Sequence, residues 1–273
     1  MINFQIYKNG QQIEFEKNNV HFNDKNFQTL FIFHGLYGRG KNWQTFSKKI
    51  SKENNHIVVT VDLRNHGGND FEKDISYILM MNDIVSLFNY LGVEKTNLLG
   101  HSMGGKLAMI ISLLKPKCVN KLIIADIAPV DYDNDDNQII NSLLNMNLEF
   151  VKSRGDADVV LSKYIDQKFL RSFLLQNLEL ADGKYKWSIN LKAIKNSLND
   201  LRKFPTIKKI NRFDGEAICI YGGKSNYVKE EYFKIFKKFF SNISLHEIRD
   251  SDHFLHIENP LEFYEASNKF LNN

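Results

Sequence analysis

Two kinds of apolar pattern alternate along this chain. Short, nearly continuous apolar runs stand at Leu30-Phe31-Ile32-Phe33, Ile57-Val58-Val59-Thr60-Val61, Thr96-Asn97-Leu98-Leu99, Leu122-Ile123-Ile124-Ala125 and Ala217-Ile218-Cys219-Ile220-Tyr221. A last run, Ser244-Leu245-His246-Glu247-Ile248, is more mixed. Runs of this length, rich in β-branched residues, predict strands buried on both faces. Between them apolar residues recur at helical spacing: Trp43, Phe46 and Ile50; then Ile75, Leu79, Ile84, Leu87, Phe88 and Leu91; then Leu107 to Ile111. Strands alternating with helices predict an α/β fold with a mostly parallel central sheet flanked by helices. At the start, Phe4 to Tyr7 and Gln12 to Phe15 alternate around Asn9-Gly10 and predict a hairpin.

The rhythm breaks between about Val130 and Phe204, where no buried five-residue strand occurs. Ile139, Ile140, Leu143, Leu144 and Met146, then Val159, Val160, Tyr164, Ile165 and Phe169, have helical spacing instead. Residues 130–205 therefore read as an inserted helical cap, with 1–129 and 206–273 forming the core domain. Ligands bind at the carboxyl ends of parallel strands, and a cap inserted after the strand ending at Asp126 would cover that edge.

Composition narrows the classes. A chain of 273 residues, 43% hydrophobic and 12% aromatic, buries a full core in one large domain plus the insertion. The net charge is +4 with both signs interspersed, and no basic block carries interleaved aromatics, so no nucleic-acid partner is expected. Phe236-Lys237-Lys238-Phe239-Phe240 reads as an amphipathic helix with a solvated face. The two cysteines, Cys118 and Cys219, make neither a disulfide framework nor a metal spacing, and Cys219 reads as a small core residue. No stretch reaches the roughly 18 apolar residues of a membrane span, and the first residues lack a signal-peptide apolar region. The expectation is a cytoplasmic protein without a membrane partner, a monomer or small homo-oligomer. Asp131-Tyr132-Asp133-Asn134-Asp135-Asp136 resembles the start of a calcium loop, but Asp136 stands where glycine is needed and Ser142 where the closing glutamate belongs. It reads as a solvated loop, so neither a metal nor another cofactor is expected.

The candidate chemistry centres on Gly100-His101-Ser102-Met103-Gly104-Gly105. This is Gly-x-Ser-x-Gly between a strand and a helix, the setting of a nucleophile elbow. A serine hydroxyl needs a base to take its proton, and the base needs an acid to fix its tautomer. On such an elbow the partners follow in the chain order serine, acid, histidine. Of the eight histidines, only His246, His253 and His256 follow Ser102. His246 falls inside a strand, whereas His253 sits in the loop after it, where a base must stand. His253 and His256 as a metal pair lack an evident third ligand.

The acid is less direct. Its common place, the turn after Tyr221, reads Gly222-Gly223-Lys224-Ser225-Asn226-Tyr227 and holds no carboxylate. Either the triad lacks an acid or one comes from a neighbouring strand, and Asp126 ends such a strand. Asp250 and Asp252 compete locally, although residues so placed are more often caps or solvated. The Ser225 hydroxyl is placed to add a hydrogen bond to the histidine or the carboxylate. The oxyanion hole needs two preorganised N–H groups: Met103, after the nucleophile, and Leu36, in the loop His34-Gly35-Leu36-Tyr37-Gly38. In Asp62-Leu63-Arg64-Asn65-His66-Gly67, Arg64 reads as structural, pairing nearby carboxylates.

Taken together, these segments and Asp126-Ile127-Ala128-Pro129-Val130 resemble the α/β-hydrolase family, with a closer likeness to the bacterial YbfF-type esterases and their mitochondrial relatives. The likeness runs from about Leu30 to Pro260. It implies that the acid follows the sixth strand, at Asp126, and that Ser225 occupies the usual acid position. It also implies a small-molecule partner, an acyl ester or thioester of short to medium chain. The cap, including Trp187-Ser188-Ile189-Asn190-Leu191, matches only loosely. Carbon–carbon bond hydrolysis, perhydrolysis, or a slow-turnover receptor on the same fold would use the same residues.

Overall fold

The computed structural model describes residues 2–16, 20–24, 26–133, 137–206 and 212–273. The N-terminal hairpin pairs β1 (Phe4–Lys8) with β2 (Gln11–Ile13) around Asn9 and Gly10, both at positive φ. That is the backbone a tight two-residue turn requires. The buried runs become β3 (Gln28–Phe33), β4 (His56–Val61), β5 (Thr96–His101) and β6 (Val119–Ala125), and later β9 (Phe213–Gly222) and β10 (Phe240–Ile248). With β1 and β2 they form one eight-stranded sheet in the order β2-β1-β4-β3-β5-β6-β9-β10. β1 runs antiparallel to both β2 and β4, and every pairing from β4 to β10 is parallel.

Helices α1 (Gln44–Glu53), α2 (Tyr77–Leu91) and α3 (Met103–Leu114) follow the first parallel strands. α2 starts at Ser76, whose side chain accepts the Leu79 N–H, and stops at Gly92 in the left-handed conformation. Apolar clusters form on both faces of the sheet, one around Phe31, Ile84 and Ile110, the other around Trp43, Ile50 and Phe263. Each fully buried Leu, Ile or Phe contributes about 1.5–3 kcal/mol, which explains why both faces of β3 to β6 are apolar.

The inserted stretch holds α4 (Asn137–Leu144), α5 (Arg154–Leu161), α6 (Lys168–Leu174) and α7 (Leu191–Arg202). Two corrections apply here. The apolar spacing from Val159 to Phe169 does not run through one helix: Val159 and Val160 lie in α5, Phe169 in α6, and Tyr164 and Ile165 in the break between them. Arg171 fills the break, donating from Nη1 to the carbonyls of Ile165 and Asp166 at 2.9 Å each. The insertion is also not wholly helical: β7 (Leu178–Ala181) and β8 (Lys184–Trp187) form an antiparallel hairpin. Its turn is Asp182-Gly183, both at positive φ, a hairpin signal visible in the sequence. A further correction concerns Phe240. It ends no helix: α8 (Phe233–Phe239) stops one residue earlier, and a fully buried Phe240 opens β10 opposite Phe213. After β10 come α9 (Leu255–Glu258) and α10 (Pro260–Asn272).

The insertion has its own apolar cluster, which also takes in Tyr37 and packs against Leu36 and Phe254. Polar ties join it to the loops after β3 and β4. Asn177 Nδ2 donates to the Tyr37 carbonyl at 2.7 Å, Arg39 pairs with Glu179 at 2.9 Å, and the Asn190 N–H donates to the Asn65 carbonyl at 2.9 Å. Among the described residues no helix is long and apolar enough to cross a membrane.

Candidate active site

Ser102 stands between β5 and α3 at φ 53° and ψ −120°. A non-glycine residue in that region costs about 1–3 kcal/mol, and the neighbouring packing enforces it. The Ser102 N–H donates to the Ala125 carbonyl at 3.0 Å. A side chain at Gly100 would lie 2.1 Å from the Gly104 carbonyl oxygen, and one at Gly104 would lie 2.3 Å from that of Phe33. Only glycine fits either position, so the Gly-x-Ser-x-Gly spacing is what allows the turn to close.

The structure brings three of the expected residues into one relay. His253 Nε2 lies 3.0 Å from Ser102 Oγ, and Nδ1 lies 2.7 Å from Asp126 Oδ2. Asp126 only accepts, so Nδ1 carries the proton and Nε2 is left to accept the serine O–H. Asp126 is fully buried just beyond β6, at φ 49°, a conformation aspartate tolerates better than most residues. Its Oδ1 accepts the Gly222 N–H at 3.0 Å, and its Oδ2 also accepts the Ser225 O–H at 2.5 Å. Ser225 in turn accepts the Tyr227 N–H at 3.2 Å. Ser225 therefore bonds the carboxylate and not the histidine. Asp250 and Asp252 stand elsewhere: Asp250 is exposed against Lys224 at 3.3 Å, and Asp252 accepts the His253 backbone N–H at 2.8 Å.

Leu36 and Met103 border the same cavity as Ser102 and His253. Met103 opens α3, where the first N–H groups have no intrahelical acceptor. The loop carrying Leu36 is clamped by two imidazoles. His34 Nε2 accepts the Leu63 N–H at 2.9 Å while its Nδ1 donates to the Gly35 carbonyl at 2.8 Å. His66 Nε2 accepts the Tyr37 N–H at 3.3 Å while its Nδ1 donates to the Arg64 carbonyl at 2.9 Å. Arg64 itself forks onto Asp83, with both bonds at 2.7 Å. The cavity holds about 280 Å³, and the insertion contributes Ile139, Leu170, Phe173, Leu198 and Leu201 to its walls.

Two residues escaped the sequence reading. His101 Nε2 donates to the His253 carbonyl at 2.8 Å and ties down the loop that carries His253. Tyr227 stacks on the His253 ring at 4.0 Å and 22°. The first had a signal, since His101 is the variable residue of the elbow itself. The second had none, because Tyr227 arrives from the turn after β9. His256 stacks on Trp43 at 4.3 Å, and among the described residues no group of three or more metal-ligating side chains forms. Asp131 and Asp133 are exposed, and 134–136 lie outside the described residues.

Burial pushes His34 down to about 4 and His66 and His256 to about 3. These groups stay neutral in the folded chain, while unfolded imidazoles protonate near 6.5. Protons then bind preferentially to the unfolded chain, so stability is full above pH 6.5 and falls as pH drops toward 4. His34 alone accounts for a loss on the order of 3 kcal/mol over that range. Urea midpoints at pH 7.5 and 4.5 should differ accordingly, and equal midpoints would mean that these rings are charged in the native state.

A serine on a strand–helix elbow, a histidine after the last strand and a carboxylate on a neighbouring strand, all at the carboxyl edge of a mostly parallel sheet, are the marks of one hydrolase class. Residues 28–260 match the sequence profile of the alpha/beta hydrolase fold. The chain belongs to the α/β-hydrolase family. It is 30% identical to the sn-1-specific diacylglycerol lipase ABHD11 of Danio rerio over 92% of this chain and 80% of that protein. It is 29% identical to esterase YbfF of Escherichia coli strain K12, over 92% of this chain and 95% of that one. Among solved structures, a marine microorganism esterase superposes with a TM-score of 0.88 at 31% identity, covering 98% of both chains.

Proposed function

We propose that the protein is a serine hydrolase that cleaves short- to medium-chain carboxylic esters or acyl thioesters through an acyl-enzyme. The observation that carries this reading is the Ser102–His253–Asp126 relay opening onto one largely apolar cavity. Its relatives named as esterases and lipases support the ester-cleaving class. Ser102 Oγ attacks the carbonyl carbon as His253 Nε2 takes its proton. The oxyanion is held by the N–H groups of Leu36 and Met103. His253 then delivers the proton to the departing oxygen or sulfur, leaving an ester on Ser102. Water, deprotonated by the same nitrogen, attacks that ester, and the acid leaves with Ser102 restored. Asp126 keeps the proton of His253 on Nδ1 and stabilises the imidazolium that forms.

A graded panel of p-nitrophenyl and coenzyme A esters tests this. Each methylene that enters the cavity adds about 0.8 kcal/mol, roughly fourfold in kcat/KM. With about 280 Å³ available, kcat/KM is expected to rise with acyl length and then drop once the walls from the insertion are met. A profile flat to long chains would mean that the insertion does not bound the acyl pocket. No turnover on any member would overturn the hydrolase reading.

A further inference from the structure

We infer, building on the ester-hydrolase reading above, that the cavity takes a substrate whose buried chain ends in a carboxylate, and that Lys106 is the residue selecting it. Lys106 lies one turn along α3 from Ser102, and side chains on a helix lean back toward its N-terminus. It is 1% exposed and is the one fully buried lysine among the described residues. It borders the same cavity as Ser102 and His253.

Its surroundings are incomplete for a cation. The ammonium donates to the Arg202 carbonyl in the last turn of α7 and lies 4.7 Å from the centre of the Tyr132 ring. Among the described residues no carboxylate stands within ion-pairing distance of it. Asp131 acts on it only from further off, on an exposed loop where its carboxylate accepts the Phe204 N–H at 2.8 Å. Arg202 borders the cavity as well. Burial pushes the Lys106 ammonium down to about 7.

An amine buried without a counter-charge is costly, and a methionine would fill the same space at no such cost. A carboxylate carried in by the substrate supplies the missing charge, while Leu170, Phe173 and Leu198 hold the methylenes before it. A purely structural role, tying α3 to α7 through Arg202, predicts something different: loss of Lys106 would then affect charged and uncharged substrates alike.

Matched pairs separate the two roles. On the acyl side, pentanoyl and glutaryl, and hexanoyl and adipyl, thioesters of N-acetylcysteamine differ by one terminal carboxylate. On the alcohol side, butyl acetate and 4-acetoxybutanoate do the same. The carboxylated member of at least one series is expected to lead in kcat/KM by on the order of ten- to a hundredfold, the range of a buried hydrogen bond to a charged group. Lys106→Met should lose that lead and stay within a few-fold of wild type on the uncharged members. Lys106→Gln, which keeps a donor, serves where the methionine variant does not fold. A preference for uncharged members in both series, or a preference unchanged in the variants, overturns the inference. Should no ester turn over, the hydrolase reading fails on its own. Calorimetric titration with adipate and hexanoate then decides about Lys106: tighter adipate binding that the variant loses supports it, and equal binding overturns it.

Discussion

Replacement of Ser102 by alanine is expected to abolish ester hydrolysis and leave the fold intact. The hydroxyl lies 3.0 Å from His253 Nε2, the group proposed to take its proton. Loss of a triad nucleophile lowers kcat by on the order of 10⁴-fold or more, and what remains comes from binding and the oxyanion donors. The fold should not notice. The elbow is held by backbone bonds that alanine retains: the Ser102 N–H on the Ala125 carbonyl, and the Ser102 carbonyl under the N–H groups of Gly105 and Lys106. The serine side chain does not cap α3. A fluorophosphonate should label the wild type at Ser102, located by peptide mass, and leave Ser102→Ala unmodified, with matching thermal unfolding curves for the two. Retention of most activity by the alanine variant would remove the proposed mechanism.

What could be read from the sequence was set by local physics. β3 and β4 are buried along nearly their whole length and β6 over residues 122–125, so each appears as a short apolar run, told from helical runs such as 107–111 by its β-branched and aromatic content and its flanking turns. The elbow was legible because its glycines answer to contacts a few residues away, such as Gly100 against Gly104. His253, which the structure sets against Ser102, could be reached by chain order alone, although it stands 151 positions away. The choice of Asp126 over Asp250 and Asp252 leans on its place at a strand end and on the family likeness, because nothing local to Asp126 reveals that Gly222, Ser225 and His253 converge on it. The insertion was the least legible part. Its helices are short, their apolar spacing runs across the break that Arg171 fills, and its hairpin has only four residues in each strand. Tyr227 and His34 owe their positions to neighbours brought by folding, and an aromatic or an imidazole in a loop carries no pattern of its own.

The acid assignment makes the sharpest claim, and Asp126→Asn is expected to cripple turnover with little change in fold. Asp126 accepts from three donors: Gly222 N–H on Oδ1, and Ser225 O–H and His253 Nδ1–H on Oδ2. An asparagine offers one oxygen and one NH₂ in their place. If its oxygen stays with Gly222, the NH₂ faces His253 Nδ1 and drives the ring proton to Nε2, where it can no longer accept from Ser102. If the amide flips, the NH₂ meets the Gly222 N–H donor to donor. Either way the imidazolium loses its counter-charge in a buried setting. The corresponding change in a serine protease costs about 10⁴ in kcat, and a loss on the order of 10³ to 10⁴ is expected here. Ser225→Ala removes one of the three donors and leaves the carboxylate with His253, so it should cost about tenfold or less. Asp250→Asn touches only an exposed pair with Lys224, and Asp252→Asn only a backbone contact to His253, so both should stay near wild type. Measuring kcat for the four variants at one pH ranks the candidates directly. A near-normal Asp126→Asn beside a crippled Asp250→Asn or Asp252→Asn would move the acid to the loop of the base itself and leave the Ser225–Asp126 contact as a structural one.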